Sequence, residues 1–189
     1  MTLRRLHRGL AILLGLFLLL HLGNHLAGLF GQEVHLSVQK ALRTVYRAPV
    51  IEALLLAALA VQLGLGLMLL ARRRRLTLQT VSGSYLALFL AVHVGVVLSA
   101  RQQGVETDLA FAAAGLHAPA PWPVVFALYY GLAVAAVFAH FSVPLSRSSP
   151  GLGRAMVVAG LGLAVGLVAL LAGWVTPLTI PPERIAAFP

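Results

Sequence analysis

The sequence predicts an all-α fold, a polytopic membrane bundle of five transmembrane helices. Of its 189 residues, 60% are apolar and only 10% are charged, whereas a soluble domain carries roughly 25% charged residues. The apolar residues form runs long enough to cross a hydrocarbon core about 30 Å thick, which takes roughly 20 residues at 1.5 Å each. Because these runs lack the alternation of barrel strands, and backbone groups in lipid must be satisfied within the segment, we expect helices.

Five such runs are bounded by charge, proline or glycine. They are Gly9–Phe30, Pro49–Ala71, Leu78–Ala100, Val124–Leu145 and Ala155–Trp174. Basic residues before the first run resemble the start of a signal peptide, but the run is long and no small-x-small cleavage site follows it. We therefore expect a retained first helix and a single transmembrane domain over residues 1–189.

Two connections are longer than a tight turn. Residues Gly31–Ala48 contain apolar side chains between charged ones, which predicts an amphipathic segment in the interface plane. Residues Arg101–Pro123 carry Glu106, Asp108 and His117 and end in a proline-rich entry to the fourth span. We expect both connections on the same side of the membrane, and His7, His35 and His117 to be ordinary surface histidines.

The charge distribution predicts orientation. There are 14 basic and 5 acidic residues, a net charge of +9, in short clusters rather than the basic stripe that binds nucleic acid. With the N-terminus inside, nine basic residues fall on the inner side and five on the outer side. This bias predicts a cytoplasmic N-terminus and an outer C-terminus. Residues Arg72–Arg75 would contact anionic lipid headgroups or, alternatively, dock a soluble subunit.

Polar residues inside the spans are few, and each requires a reason. They are His21, Asn24, His25, Glu52, Gln62, His93 and His140. His21 and His93 lie at similar depth, in the middle to outer half of two spans that run in the same direction. Two histidines on different helices at one depth suit the axial positions of a haem b. Histidines that hydrogen-bond neighbouring helices, or that line a proton or metal pathway, are alternatives.

Two further groups of polar residues allow a site and a structural interpretation. His25 follows His21 by four residues and shares its helix face, so the pair would chelate one metal ion but not the opposite faces of one haem. Asn24 and His25 would contact a quinone or a haem propionate, or would only make the helix end polar. Glu52 and Tyr46 would border a quinone, or Glu52 would form an interfacial salt bridge with Arg47 or Arg101.

Three stretches resemble the cytochrome b membrane-anchor subunit of succinate dehydrogenase and fumarate reductase, in its five-helix, two-haem form. They are RRLHRGLAILLGLFLLLH (Arg4 to His21), AVHVGVVLSARQQGVETDLAF (Ala91 to Phe111) and FAHFSVPL (Phe138 to Leu145). The resemblance implies an outer haem ligated by His21 and His93. It places the inner haem on His140 and on Gln62, where the family has a histidine.

Glutamine is a poor ligand of haem iron, so the inner haem would be five-coordinate on His140 or absent. The resemblance thus implies one haem b or two, a quinone as electron partner, and separate flavoprotein and iron–sulfur subunits on the cytoplasmic side of a bacterial inner membrane. Since the chain has no cysteine, it cannot hold an iron–sulfur cluster through thiolates. No nucleophilic motif accompanies its serines, so it would be at most a quinone-site subunit.

A second resemblance leads to a different function class. The stretches YRAPVIE (Tyr46 to Glu52) and SGSYLALFLAVHV (Ser82 to Val94) are similar to a family of multispanning membrane proteins with a fungal mitochondrial outer-membrane member linked to lipid homeostasis. This resemblance implies a cofactor-free membrane scaffold or lipid-associated protein. The buried histidines would then be structural.

Overall fold

The computed structural model describes residues 2–72 and 75–188, whose regular structure is helical and which contain no strand. The fold is 81% helical. Five helices are long and apolar enough to cross a membrane: Leu3–Phe30, Pro49–Ala71, Leu78–Gln102, Trp122–Ser146 and Pro150–Leu171. The five predicted spans are therefore confirmed as apolar helices. Of the predicted lipid-contacting run, Arg73 and Arg74 lie outside the described residues.

The helix ends differ from the predicted span ends where charged residues intervene. The last long helix begins at Pro150 instead of Ala155, because Ser149 caps it by accepting a hydrogen bond from the Leu152 amide at 3.4 Å and proline is favoured in the first turn. The first helix likewise begins at Leu3, after the cap residue Thr2. Hydropathy excludes arginines from a span, whereas helical hydrogen bonding continues through them.

The chain forms two compact units, Met1–Arg75 and Leu76–Pro189. The helices of the first unit are α1 (Leu3–Ala27), which continues into a 3-10 turn (Gly28–Phe30), α2 (Gln32–Tyr46) and α3 (Pro49–Ala71). Between the turn and α2, Gly31 has a φ of 120°, which favours glycine. Helix α1 packs against both α2 and α3. The expectation of a single transmembrane domain stays a prediction.

Helix α2 buries two polar side chains inside the first unit. The predicted amphipathic segment between the first two spans is helical, and its buried side chains are His35 (0% exposed) and Gln39 (5%). Val34 and Val45 are 41% and 60% exposed, and the charged Glu33 and Lys40 are exposed as well. The two buried polar groups lie where the first unit can supply partners, which apolar lipid cannot do.

The second unit contains five helices. They are α4 (Leu78–Gln102), α5 (Leu109–Ala113), which continues into a 3-10 turn (Ala114–Leu116), α6 (Trp122–Ser146), α7 (Pro150–Leu171) and α8 (Pro182–Ile185). The largest helix–helix contact is between α6 and α7, followed by that between α4 and α6. Helix α4 begins with a reciprocal capping box between Thr77 and Thr80, which satisfies two otherwise unpaired groups.

Glycines allow α6 and α7 to approach closely. A Cβ atom added to Gly160 would lie 2.2 Å from Cβ of Phe138, and one added to Gly153 would lie 1.8 Å from Oγ of Ser146. Ala164, one turn after Gly160, is also buried. Small residues spaced in this way bring transmembrane helices together, where van der Waals packing replaces the hydrophobic effect.

The connection between α4 and α6 is packed rather than loose. Leu109 and Ala113 of α5 are 1% and 0% exposed, as are Leu171 (1%) and Leu170 (0%) at the end of α7. The turn after α5 lies so close to α6 that a Cβ atom on Gly115 would approach Cδ2 of Phe126 to 2.3 Å. From the sequence this stretch was expected to be only a connection, because its short helix has no periodic pattern of its own.

Asp108 has two structural roles that mutagenesis can separate. Its carboxylate accepts a hydrogen bond from the Phe111 amide at 2.9 Å, capping α5, and it forms an ion pair with Arg184 in which the side chains are 17% (Arg184) and 25% (Asp108) exposed. We expect Arg184→Met and Asp108→Asn to lower the free energy of unfolding by up to about 1 kcal/mol. Asp108→Ala should cost about 1 kcal/mol more, because only alanine also removes the cap.

Unfolding of the purified protein in detergent micelles, followed by circular dichroism, measures this difference. Equal losses in Asp108→Asn and Asp108→Ala would show that the cap contributes nothing. The loss in Arg184→Met should shrink as salt is added, because a partly exposed ion pair is screened.

Candidate functional site

The candidate ligands are divided between the two units. His21 and His25 lie on α1 in the first unit, and His93 on α4 and His140 on α6 lie in the second. All four lie within the long apolar helices. The pairing of His21 with His93 therefore stays a prediction, and each histidine is described within its own unit.

His21 and His93 share one local feature, an aromatic ring one helical turn earlier. Each follows a phenylalanine by four residues, in FLLLH (Phe17 to His21) and in FLAVH (Phe89 to His93), so that ring and imidazole share a helix face. The Phe17 and His21 rings stack with centroids 5.8 Å apart and planes 20° apart. Those of Phe89 and His93 stack at 5.0 Å and 14°. In both helices an aromatic ring restricts the orientation of the imidazole.

In the second unit this stack is supported by α6. Tyr129 packs against Phe89 with ring centroids 4.7 Å apart. The hydroxyl of Tyr85, one turn before Phe89, donates a hydrogen bond to the backbone carbonyl of Tyr129 at 2.9 Å. Helices α4 and α6 are thus joined beside the His93 stack. These phenylalanines and tyrosines were not predicted as part of the site, although the repeated spacing of phenylalanine and histidine is visible in the sequence.

In the first unit the histidines of α1 meet α2. The rings of His21 and His25 lie edge to face, 4.8 Å apart, and His25 lies 5.6 Å from the ring of His35. Asn24, 6% exposed, contacts His35 through its amide nitrogen at 3.1 Å from Nε2. The expectation that His35 is a surface histidine was wrong, because its polar partner is supplied by another helix.

This cluster favours a structural role for Asn24. Its amide nitrogen is engaged with His35, so the pair connects α1 to α2 in the way that polar side chains join membrane helices. Among the described residues no group of three or more His, Cys, Asp or Glu side chains is placed to hold a metal ion. Contact of Asn24 or His25 with a quinone or a propionate stays a prediction.

His140 on α6 contacts two consecutive residues of α4, Ser82 and Gly83. Its Nδ1 atom lies 3.3 Å from Oγ of Ser82. A Cβ atom on Gly83 would lie 3.1 Å from Cε1 of the same ring, so that the ring would have to shift by a few tenths of an ångström to admit it. The sequence predicted His140 as a ligand through a resemblance. It did not predict these contacts, because Ser82 and His140 are 58 residues apart.

Gln62 lies on α3 in the first unit. Oε1 of Gln62 is buried and accepts no hydrogen bond from the described residues. His7, expected to be a surface histidine, lies within the first candidate span, and its Cε1 would be 3.6 Å from a Cβ atom on Gly66. Glu52 occupies the first turn of α3, as predicted. Tyr46 contacts Phe17 edge-on at 5.5 Å.

The glycines near the candidate ligands differ in their surroundings. Gly23, Gly64 and Gly95 have no heavy atom within 4 Å of an added Cβ, whereas Gly83 lies against His140. Gly23 and Gly95 each follow a candidate ligand by two residues, which places them about 200° around the helix from it. They therefore do not shape the side on which the imidazole lies.

No protein-family model, curated protein or solved structure matches the chain.

Proposed function

We propose that the chain is an integral membrane b-type cytochrome that binds haem b through His21 and His93 and exchanges electrons with a membrane quinone. The observation that carries this proposal is the matched environment of the two histidines, each stacked on a phenylalanine four residues earlier. The resemblance to the succinate dehydrogenase anchor selects the same two residues from sequence stretches alone. The phenylalanine stacks and the resemblance thus support the same two histidines.

The residues fit a haem by their chemistry. Imidazole nitrogens are ordinary axial ligands of haem iron, and these imidazoles lie on apolar helices whose other side chains would surround a porphyrin with hydrocarbon. The phenylalanine stacks limit the rotation of each ring, which reduces the entropy that ligation would cost. A bound haem b would supply one-electron transfer.

His140 would hold a second, inner haem, with Gln62 as a poor opposite ligand. The chain would lie in a bacterial inner membrane with its N-terminus in the cytoplasm. Separate flavoprotein and iron–sulfur subunits would deliver electrons from that side. The chain itself would perform no catalysis beyond contributing to a quinone site.

One observation favours a second candidate function, a cofactor-free membrane scaffold. The contact between Asn24 and His35 shows that at least one buried histidine has a connecting role between helices. If all the histidines had that role, the chain would bind no haem. The two functions therefore differ in whether the purified chain binds haem.

Spectroscopy of the purified protein tests the proposal. The chain is expressed with haem precursors supplied, purified in detergent, and its dithionite-reduced minus oxidised spectrum is recorded. We expect a b-type spectrum with a reducible Soret band, and a pyridine haemochrome assay that yields one haem or two per chain. Absence of haem, including after reconstitution with added haem, would contradict the proposal and favour the scaffold.

A further inference from the structure

We propose that the start of α1 and the end of α3 form a binding site for the phosphate group of an anionic phospholipid. An open cleft of about 510 Å³ lies between them in the first unit, and it is lined by Thr2, Leu3, Arg4, Arg5, Leu69 and Arg72. Three of these six side chains are arginines. The proposal concerns this cleft alone and does not depend on haem binding.

Helix packing brings the three arginines to one place. Helix α1 packs against α3, and His7 of α1 lies so near α3 that its Cε1 would be 3.6 Å from a Cβ atom on Gly66. The first turn of α1 is therefore beside the last turn of α3. Arg4 and Arg5 belong to that first turn, and Arg72 directly follows α3, so residues far apart in the sequence line the same cleft.

The first unit offers these arginines no carboxylate partner. Its sequence contains two carboxylates, Glu33 and Glu52. Glu52 lies twenty residues before Arg72 on the same helical stretch, which is about 30 Å along the axis. Glu33 lies beside the far end of α1, because His35, two residues later, contacts Asn24. Three like charges thus meet at the cleft without a negative group of the unit nearby.

Two of the arginines also lie at the unfavourable end of a helix. The N-terminus of a helix carries partial positive charge, so basic side chains there are repelled and anions are attracted. Helix α1 has no acidic residue in its first turn, where Arg4 and Arg5 lie. An anion bound in the cleft would offset both the repulsion between the arginines and their repulsion by the helix dipole.

A phospholipid is the anion that this position favours. The cleft lies at the ends of two helices long and apolar enough to cross a membrane, where headgroups are found, and Leu3 and Leu69 supply apolar surface beside the arginines. Guanidinium groups bind phosphate oxygens through charge-assisted, often bidentate hydrogen bonds. Basic pockets between transmembrane helices bind anionic headgroups. A zwitterionic lipid fits less well, because its own cation would be repelled.

Lipid titration of the full-length protein tests the site. The purified chain is freed of lipid in a non-ionic detergent, and bound lipid is counted by native mass spectrometry as phosphatidylglycerol or phosphatidylcholine with the same acyl chains is added. We expect one phosphatidylglycerol to bind saturably and more tightly than phosphatidylcholine. Arg4→Gln, Arg5→Gln and Arg72→Gln should each weaken its binding about fivefold, the effect of one basic residue near an anionic lipid.

Arg8→Gln is the matched control. Arg8 is an exposed arginine of the same helix, one turn after Arg4, and it does not line the cleft. Its substitution removes the same charge and should leave phosphatidylglycerol binding nearly unchanged. Equal weakening in Arg8→Gln and Arg72→Gln would show attraction to the whole basic surface and would overturn the site.

Thermal unfolding supplies a second readout, which also detects a misfolded variant. Phosphatidylglycerol should raise the Tm of the unsubstituted protein, because a ligand of the folded state stabilises it. It should not raise the Tm of the triple variant Arg4→Gln, Arg5→Gln, Arg72→Gln. Without lipid, this variant should be no less stable than the unsubstituted protein, since two of the lost charges oppose the helix dipole.

The remaining outcomes distinguish the possible ligands. Inorganic phosphate at the same concentration should not raise the Tm, and an effect equal to that of phosphatidylglycerol would make the ligand a free phosphate and overturn the lipid proposal. Equal binding of the two lipids would overturn it as well. Absence of phosphatidylglycerol binding would overturn it and favour the docking of a soluble subunit on these arginines.

Discussion

Replacing His93 or His21 by alanine is expected to abolish the outer haem. Each imidazole would supply one of two axial ligands, so removing either should lower the haem content attributable to this site by more than about tenfold, beyond the effect of losing a supporting hydrogen bond. The Soret absorbance per chain and the pyridine haemochrome assay measure this loss. The two variants should behave alike, because each imidazole would supply one of the two axial ligands of the same haem.

Two controls separate ligation from folding. His117→Ala removes a histidine outside the five spans, one that contacts the backbone carbonyl of Leu171 at 3.0 Å, and should leave the haem content unchanged. In His93→Gly, added imidazole should restore the Soret band by occupying the vacated position. Full retention of haem in both His21→Ala and His93→Ala would contradict the proposed ligands.

Replacing Gly160 by alanine is expected to lower the free energy of unfolding substantially. The added Cβ would lie 2.2 Å from Cβ of Phe138, and because that atom is fixed to the backbone, α6 and α7 would have to separate. Overpacking of this kind costs about 1–3 kcal/mol, occasionally more. Denaturant-induced unfolding in mixed micelles measures the change in the free energy of unfolding.

The same helix provides the matched control. Gly162 has no heavy atom within 4 Å of an added Cβ, so Gly162→Ala should be neutral or stabilising by up to about 1 kcal/mol, the difference in helix propensity. The double variant Gly160→Ala, Phe138→Ala should recover little of the loss, because alanine at position 138 keeps the Cβ atom that the added Cβ would meet at 2.2 Å. Equal effects at positions 160 and 162 would contradict the close contact between α6 and α7.

Hydropathy was sufficient for the five spans because the requirement is local. A helix that crosses a membrane must satisfy its backbone within its own segment and present an apolar surface along its length, and both properties are written in consecutive residues. The ends at Leu3 and Pro150 were predicted less well. Capping and helical hydrogen bonds, rather than hydropathy, set where a helix begins.

The candidate site was predictable only in part. His21, His93 and His140 were selected because polar residues in an apolar run are costly and therefore informative. His35 was not selected, since it lies outside the spans and is buried by Asn24 on another helix. The burial of Gln39 on the same helix was not predicted for the same reason.

Sequence alone therefore determined the helical class and the number and order of the spans, because each depends on neighbours along the chain. Only the tertiary structure decided that Ser82 faces His140 and that Gly160, rather than Gly162, meets Phe138. Those contacts join residues far apart in the chain. Composition alone does not distinguish one glycine or serine of a helix from another. Which of them packs against a neighbouring helix is set by the rotation and approach of the two helices.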